Sequence, residues 1–142
     1  MVTVSADRTA QLWRLLEKRD SRALSHGVPL QQVAIHEASE TLVSRGRSSG
    51  MLLWNLTATT SERFLESSQK QSSSMAVSED GNLIAGGFHE GAISLWKGVD
   101  RMKVPFQSGE TVFARSLRFS PEGTLLAAGF QNGALKIWSL RS

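Results

Sequence analysis

The sequence contains no cysteine. Disulfide-stapled scaffolds, thiolate zinc sites and cysteine nucleophiles are therefore excluded. It also has no long hydrophobic run. No apolar stretch approaches the ~20 residues of a transmembrane helix, and residues 1–11 lack the basic-then-apolar order of a signal peptide. Charge of one sign is scarce: sixteen Lys and Arg stand against thirteen Asp and Glu, for a net +3. The charges are interspersed, so nothing demands a nucleic acid or an anionic membrane. Phosphate-cradling glycine patterns, G-x-x-x-x-G-K or G-x-G-x-x-G, do not occur. The expectation from these absences is a soluble, cytoplasmic chain without a membrane partner. At 142 residues, 40% of them hydrophobic and 20% charged, it suits one domain with a core and is too short for two ordinary ones.

What the sequence does have is a repeat. Its four tryptophans stand at Trp13, Trp54, Trp96 and Trp138, separated by 41, 42 and 42 residues. Each lies late in a short apolar stretch: AQLWRL, MLLWNL, ISLWKG and LKIWSL. Upstream, Ser78–Phe88 (SEDGNLIAGGF) aligns with Ser120–Phe130 (SPEGTLLAAGF), and His89-Glu90-Gly91 with Gln131-Asn132-Gly133. A fixed period of this size signals one supersecondary unit used several times.

Each unit reads as strands joined by turns. Residues 116–120 alternate apolar and polar, as a half-buried strand does. Pro121-Glu122-Gly123 follows as a tight turn. Residues 124–130 are nearly all apolar, which suits a strand covered on both faces. Asn132-Gly133 points to a hairpin with a primed turn, and residues 134–140 form the next strand. A fourth, more polar outer strand is expected near Met102–Phe106 and Glu62–Glu66. Leu15–Leu24 reads either as a short helical turn or as a degenerate outer strand with its loop. Ser67–Ser74 reads as a flexible polar loop on the rim.

A period near 42, four strands per unit and one late tryptophan resemble the WD40-repeat (WD-repeat) β-propeller family over essentially the whole chain. The resemblance implies an all-β fold, an arc of four-stranded antiparallel blades with two complete blades flanked by two incomplete ones. The count is 3+4+4+3 strands, with repeats at about 1–24, 25–66, 67–108 and 109–142 in a single segment, 1–142. It also implies a buried hydrogen-bonded set of His, Ser or Thr, Asp and Trp in each repeat. Thr3, Asp7 and Trp13 fill three slots of repeat one. In repeat two His26, Ser44 and Trp54 fit, with Ser48 in the Asp slot. Repeat three has Ser68, Gly86, Glu90 and Trp96, and repeat four has Gly109-Glu110, Ala128, Asn132 and Trp138. Repeat one is the closest match, and the set as a whole is eroded. Two incomplete end blades imply a ring completed by upstream sequence or by other chains, and the former is preferred.

Gly46-Arg47-Ser48-Ser49-Gly50 matches G-x-S-x-G, the pattern of a hydrolase nucleophile elbow, but it lies where the other repeats have a hairpin turn. Ser67-Ser68-Gln69-Lys70 matches S-x-x-K without any supporting motif. His26, His36 and His89 share no ligand spacing, so no metal or cofactor is expected. Arg115, Arg118, Lys136 and Arg141 add positive charge, which solvated strand surfaces ordinarily carry. No catalytic residue is assigned. The expected function is a non-enzymatic protein–protein interaction scaffold, the C-terminal WD-repeat part of a larger regulatory or signalling protein. The turns after the second strands share one face, and Arg8, Arg47, His89, Glu90, Gln131 and Asn132 are the partner-binding candidates. The alternatives are a serine hydrolase at residues 46–50, a basic nucleic-acid-binding module, and a truncated propeller fragment without its own function.

Overall fold

The Ser-x-x-Gly signature, repeated 42 residues apart, builds the same turn twice. Gly81 donates its N–H to the Ser78 carbonyl and Gly123 donates to the Ser120 carbonyl, each at 2.9 Å. The two serine hydroxyls accept from the strand that follows, Ser78 Oγ from the Leu83 N–H at 2.9 Å and Ser120 Oγ from the Leu125 N–H at 3.0 Å. Each turn is thus bonded to its own hairpin by a side chain that the sequence repeats.

A computed structural model describes residues 2–4, 9–13, 21–25, 28–46, 50–55, 62–64, 71–97, 102–104 and 106–140. They form fourteen strands in four antiparallel sheets of three, four, four and three. The first sheet holds β1 (Val2–Val4), β2 (Thr9–Trp13) and β3 (Ser21–Ser25). The second holds β4 (Leu30–His36), β5 (Thr41–Gly46), β6 (Met51–Asn55) and β7 (Glu62–Phe64). In the third are β8 (Ser72–Val77), β9 (Leu83–Phe88), β10 (Ile93–Lys97) and β11 (Met102–Val104). The last has β12 (Ala114–Phe119), β13 (Leu125–Phe130) and β14 (Leu135–Ser139). Strands pair in sequence order, and the first strands of neighbouring sheets meet, β4 against β8 and β8 against β12.

The core lies between the blades. Met51, Val43 and the third sheet's Met75, Ile84, Phe88 and Trp96 make one cluster. The equivalent cluster one blade on joins Ile93, Leu95 and Ala85 to Leu117, Leu126 and Phe130. Even ring geometry repeats: Phe88 meets Trp96 edge-on at 6.4 Å, and Phe130 meets Trp138 edge-on at 6.4 Å. Polar bridges lock the second and third blades. Gln32 donates to the Met75 carbonyl at 3.1 Å, and His36 Nε2 donates to the Glu79 carbonyl at 2.7 Å. The Ser39 N–H donates to His36 Nδ1, which fixes that nitrogen as the acceptor and Nε2 as the donor.

Several local expectations are corrected. Ser72–Ser74 belong to β8, with Ser72 and Ser74 buried, not to a rim loop; one blade's first strand begins inside the serine-rich stretch, and residues 65–70 lie outside the described ones. Residues 21–25 are strand, which answers the C-terminal half of Leu15–Leu24, while 14–20 lie outside the described residues. The outer strands lie where expected, at Met102–Val104 and Glu62–Phe64; residues 65, 66 and 105 lie outside the described ones. The Asn132-Gly133 turn is not primed. Only Gly133 has positive φ, at 87°, as does Gly91 at 78° in the preceding repeat. Phe130 donates to the Ala134 carbonyl and accepts from the Gly133 N–H, giving a three-residue loop whose left-handed residue is glycine. Finally, β13 is not covered on both faces. Leu125 is 42% exposed, and beside it on β14 Leu135 is 73% and Ile137 62% exposed.

Candidate functional site: the cleft at the head of the first strands

The first strands of sheets two, three and four share an irregularity. In each, the register to the second strand shifts by one residue: between Leu30 and Gln32, between Ser72 and Ser74, and between Ala114 and Ser116. The extra residues are Gln31, Ser73 and Arg115, spaced 42 apart. A β-bulge re-aims the side chain it carries, and these three side chains line one cleft of about 610 Å³ with Arg45, Phe113 and His89.

Arg45 is the most constrained member. Its Nε donates to Gln32 Oε1 at 3.1 Å, and its Nη1 donates to Gln31 Oε1 at 2.9 Å and to the Ser72 carbonyl at 3.2 Å. Every one of these acceptors is neutral. The guanidinium is half-buried, and burial holds its pKa below the usual arginine value. Among the described residues, no carboxylate lines the cleft. On the other side, the Arg115 guanidinium lies 5.2 Å from the centre of the Phe113 ring, and His89 stacks on Phe113 with ring centres 5.3 Å apart. Ser73 Oγ donates to the Ala114 carbonyl at 2.7 Å, tying this strand to β12.

Of the partner-binding candidates whose side chains are described, His89 lines this cleft and Gln131 and Asn132 do not. Gln131 and Asn132 are exposed at the equivalent turn one blade on. Asn132 accepts from the Ala134 N–H and donates to Glu110 Oε2 at 3.3 Å. Arg8, Arg47 and the side chain of Glu90 lie outside the described residues. Sequence reasoning missed Gln31, Arg45 and Phe113 and gave Arg115 no special place. The sequence carries a partial signal: Gln31, Ser73 and Arg115 occupy one repeat slot, 42 residues apart, and all are polar.

The repeat residues divide in the same way. Trp54 Nε1 donates to Ser44 Oγ at 2.8 Å in a fully buried pair. In the third repeat Gly86 leaves no hydroxyl. A Cβ there would meet Met51 Sδ at 2.5 Å and the Trp96 ring at 3.2 Å, so packing occupies the vacated space. In the fourth, Glu110 and Asn132 stand in the His and Asp slots and still bond each other. Lys136 joins them with a 2.8 Å ion pair to Glu110 and a 3.1 Å bond to the Ser108 carbonyl. Lys136, and after it Asn132, holds the Glu110 carboxyl below the usual range. Thr3 and Trp13 lie in β1 and β2; Asp7 and His26 lie outside the described residues.

The G-x-S-x-G stretch connects β5 to β6, two antiparallel neighbours, and not a strand to a helix; Arg47, Ser48 and Ser49 lie outside the described residues. Among the described residues, no cluster of three or more His, Asp or Glu could hold a metal ion, and no helix is long and apolar enough to cross a membrane.

Comparison with known proteins points one way. Residues 104–139 match the family described as WD domain, G-beta repeat. The solved structure of the computationally designed Ika4 protein superposes with a TM-score of 0.81 at 20% identity, covering 99% of this chain and 84% of that one. The C-terminal WD40 domain of Sif2 superposes with a TM-score of 0.78 at 13% identity, covering 99% of this chain and 42% of that one. No curated protein matches the sequence. WD40 propellers are generally non-enzymatic protein-interaction scaffolds. The last sheet of this chain therefore carries a WD repeat, and all four sheets have the fold of WD40 propeller blades.

Proposed function

We propose that this chain is a non-enzymatic protein-interaction scaffold, the WD-repeat part of a larger regulatory or signalling protein, acting in the cytoplasm. The observation that carries the interaction role is the cleft of Gln31, Arg45, Ser73, His89, Phe113 and Arg115. A rigid sheet framework presents two guanidiniums, an imidazole–phenyl stack and neutral hydrogen-bonding groups there, with no carboxylate among the described lining residues. Such convergent polar groups on a rigid frame are what a recognition site requires. The bare side of the last sheet supports a larger ring. Ile93 and Met51 hold the slot of Leu135 one and two blades earlier respectively, and each is buried by the blade that follows. Leu135 calls for the same cover, from the same polypeptide or from another chain.

Affinity capture from an extract of the source cells tests the interaction role. The bait is the chain and, in parallel, a His89→Ala Arg115→Ala variant matched for melting temperature. Proteins retained by the first and lost from the second support the proposal. An identical set on both baits, or none on either, overturns it.

A further inference from the structure

The charge of the cleft narrows what it binds. Arg45 is anchored through Nε and Nη1 to two consecutive glutamines of β4 and to a backbone carbonyl. Its Nη2 makes no hydrogen bond among the described residues. A half-buried guanidinium with only neutral partners has given up part of its hydration without gaining a counter-charge, a costly arrangement that an incoming anion relieves. Arg115 supplies a second guanidinium from a bulge, the device that turns a strand residue out of its ladder. It is exposed and lies over Phe113, so it is held without being neutralised. The Arg115 guanidinium presents paired N–H donors matched to a carboxylate, and Arg45 offers the N–H groups of its Nη2. Gln31 and Ser73, in the same bulge slot, add an amide and a hydroxyl beside them.

Resting on the interaction role above, we infer that this cleft binds an acidic peptide segment of the partner protein, with Arg45 and Arg115 each receiving a carboxylate. A nucleic acid fits less well. Its affinity comes from a run of phosphate contacts and from bases stacking on aromatic faces. Here the two arginines are confined to one cleft, and the Phe113 ring is already engaged by His89 and Arg115.

The test is fluorescence anisotropy with the full chain and three dye-labelled probes: a hexapeptide of alternating Glu and Asp, its Gln/Asn counterpart and a hexathymidylate. The expected result is saturable binding of the acidic peptide, weakened by added salt, with no binding of the neutral one. Arg115→Gln, an exposed position that leaves the core untouched, should weaken that binding roughly ten-fold, the size expected for one charge-assisted pair. Arg45→Lys, which keeps the charge but removes Nη2 and the bonds that anchor it, should weaken it as well. An acidic peptide that does not bind, that binds Arg115→Gln equally well, or that binds more weakly than hexathymidylate overturns the inference. If the neutral peptide binds and is lost in Arg115→Gln, the acidic assignment fails while the scaffold role stands. If no peptide binds and the capture experiment is also insensitive to the variant, both fail.

Discussion

Trp54 donates its indole N–H to Ser44 across two adjacent strands at 2.8 Å, and both residues are shut away from water. Removing the acceptor would leave a buried donor without a partner, which costs more than the bond itself contributes. Ser44→Ala is therefore expected to lower stability by about 1–3 kcal/mol. Urea unfolding followed by tryptophan fluorescence measures this, and an unchanged midpoint would remove the bond from any structural role.

The third repeat makes the opposite prediction. Gly86 occupies the slot of Ser44, so restoring a serine there looks like repair. The space is already filled by Met51 and by the Trp96 ring, with Phe88 at 3.1 Å from the position of a Cβ. Overpacking of this kind costs about 1–3 kcal/mol. Gly86→Ser is expected to lower the urea midpoint, and Gly86→Ala to do so as well. A Gly86→Ser protein more stable than the parent would mean that Trp96 can swing back to accept a new partner.

These two residues also show what sequence could and could not deliver. The tryptophan period placed all four blades and their antiparallel order, because every repeat must bury the same face against the next. Slot-by-slot reading located Ser44 beside Trp54. It saw only loss in the later repeats, since it had no measure of volume and could not tell that Met51 had moved into the gap at Gly86. The cleft was harder still. The bulges fall in stretches already rich in Gln, Ser and Arg, where a shift in alternation is hard to see, and Arg45 becomes notable only once its partners prove to be neutral. Turn residues suffered from local rules: Asn-Gly favours a primed hairpin in isolation, yet here the Asn132 side chain is bound to the Ala134 N–H and to Glu110, and glycine alone takes the left-handed position.

Acid should loosen the fourth blade through Glu110. Its carboxyl is held below the usual range by Lys136 and then Asn132. A depressed folded-state pKa contributes stability above the unfolded value, about 4.3 for glutamate, and that contribution is lost as pH falls through the folded value. Asp80 titrates in the same sense, lowered by the Ser78 hydroxyl and the Asn82 N–H, so acid sensitivity will not vanish when Glu110 is removed. Glu110→Gln should lower the melting temperature slightly at pH 7 and converge on the parent as the pH falls through the lowered folded-state value. Parallel melting curves for the two proteins across that range would show that the Lys136 pair is energetically silent.

Leu95 and Ile137 occupy the same slot in successive repeats, and their surroundings differ completely. Leu95 is 3% exposed beneath the last blade, whereas Ile137 is 62% exposed on the far side of it. In this chain Leu95→Ala should therefore cost about 2–5 kcal/mol, and Ile137→Ala less than ~0.5 kcal/mol. Replacing Leu135 and Ile137 together by lysine should leave unfolding unchanged while suppressing concentration-dependent light scattering, because contiguous bare apolar strands promote association. An Ile137→Ala variant as damaged as Leu95→Ala would place a covering surface over this sheet in solution. In that case analytical ultracentrifugation of the parent should give a mass above 15.5 kDa, which the double lysine variant brings back to the monomer.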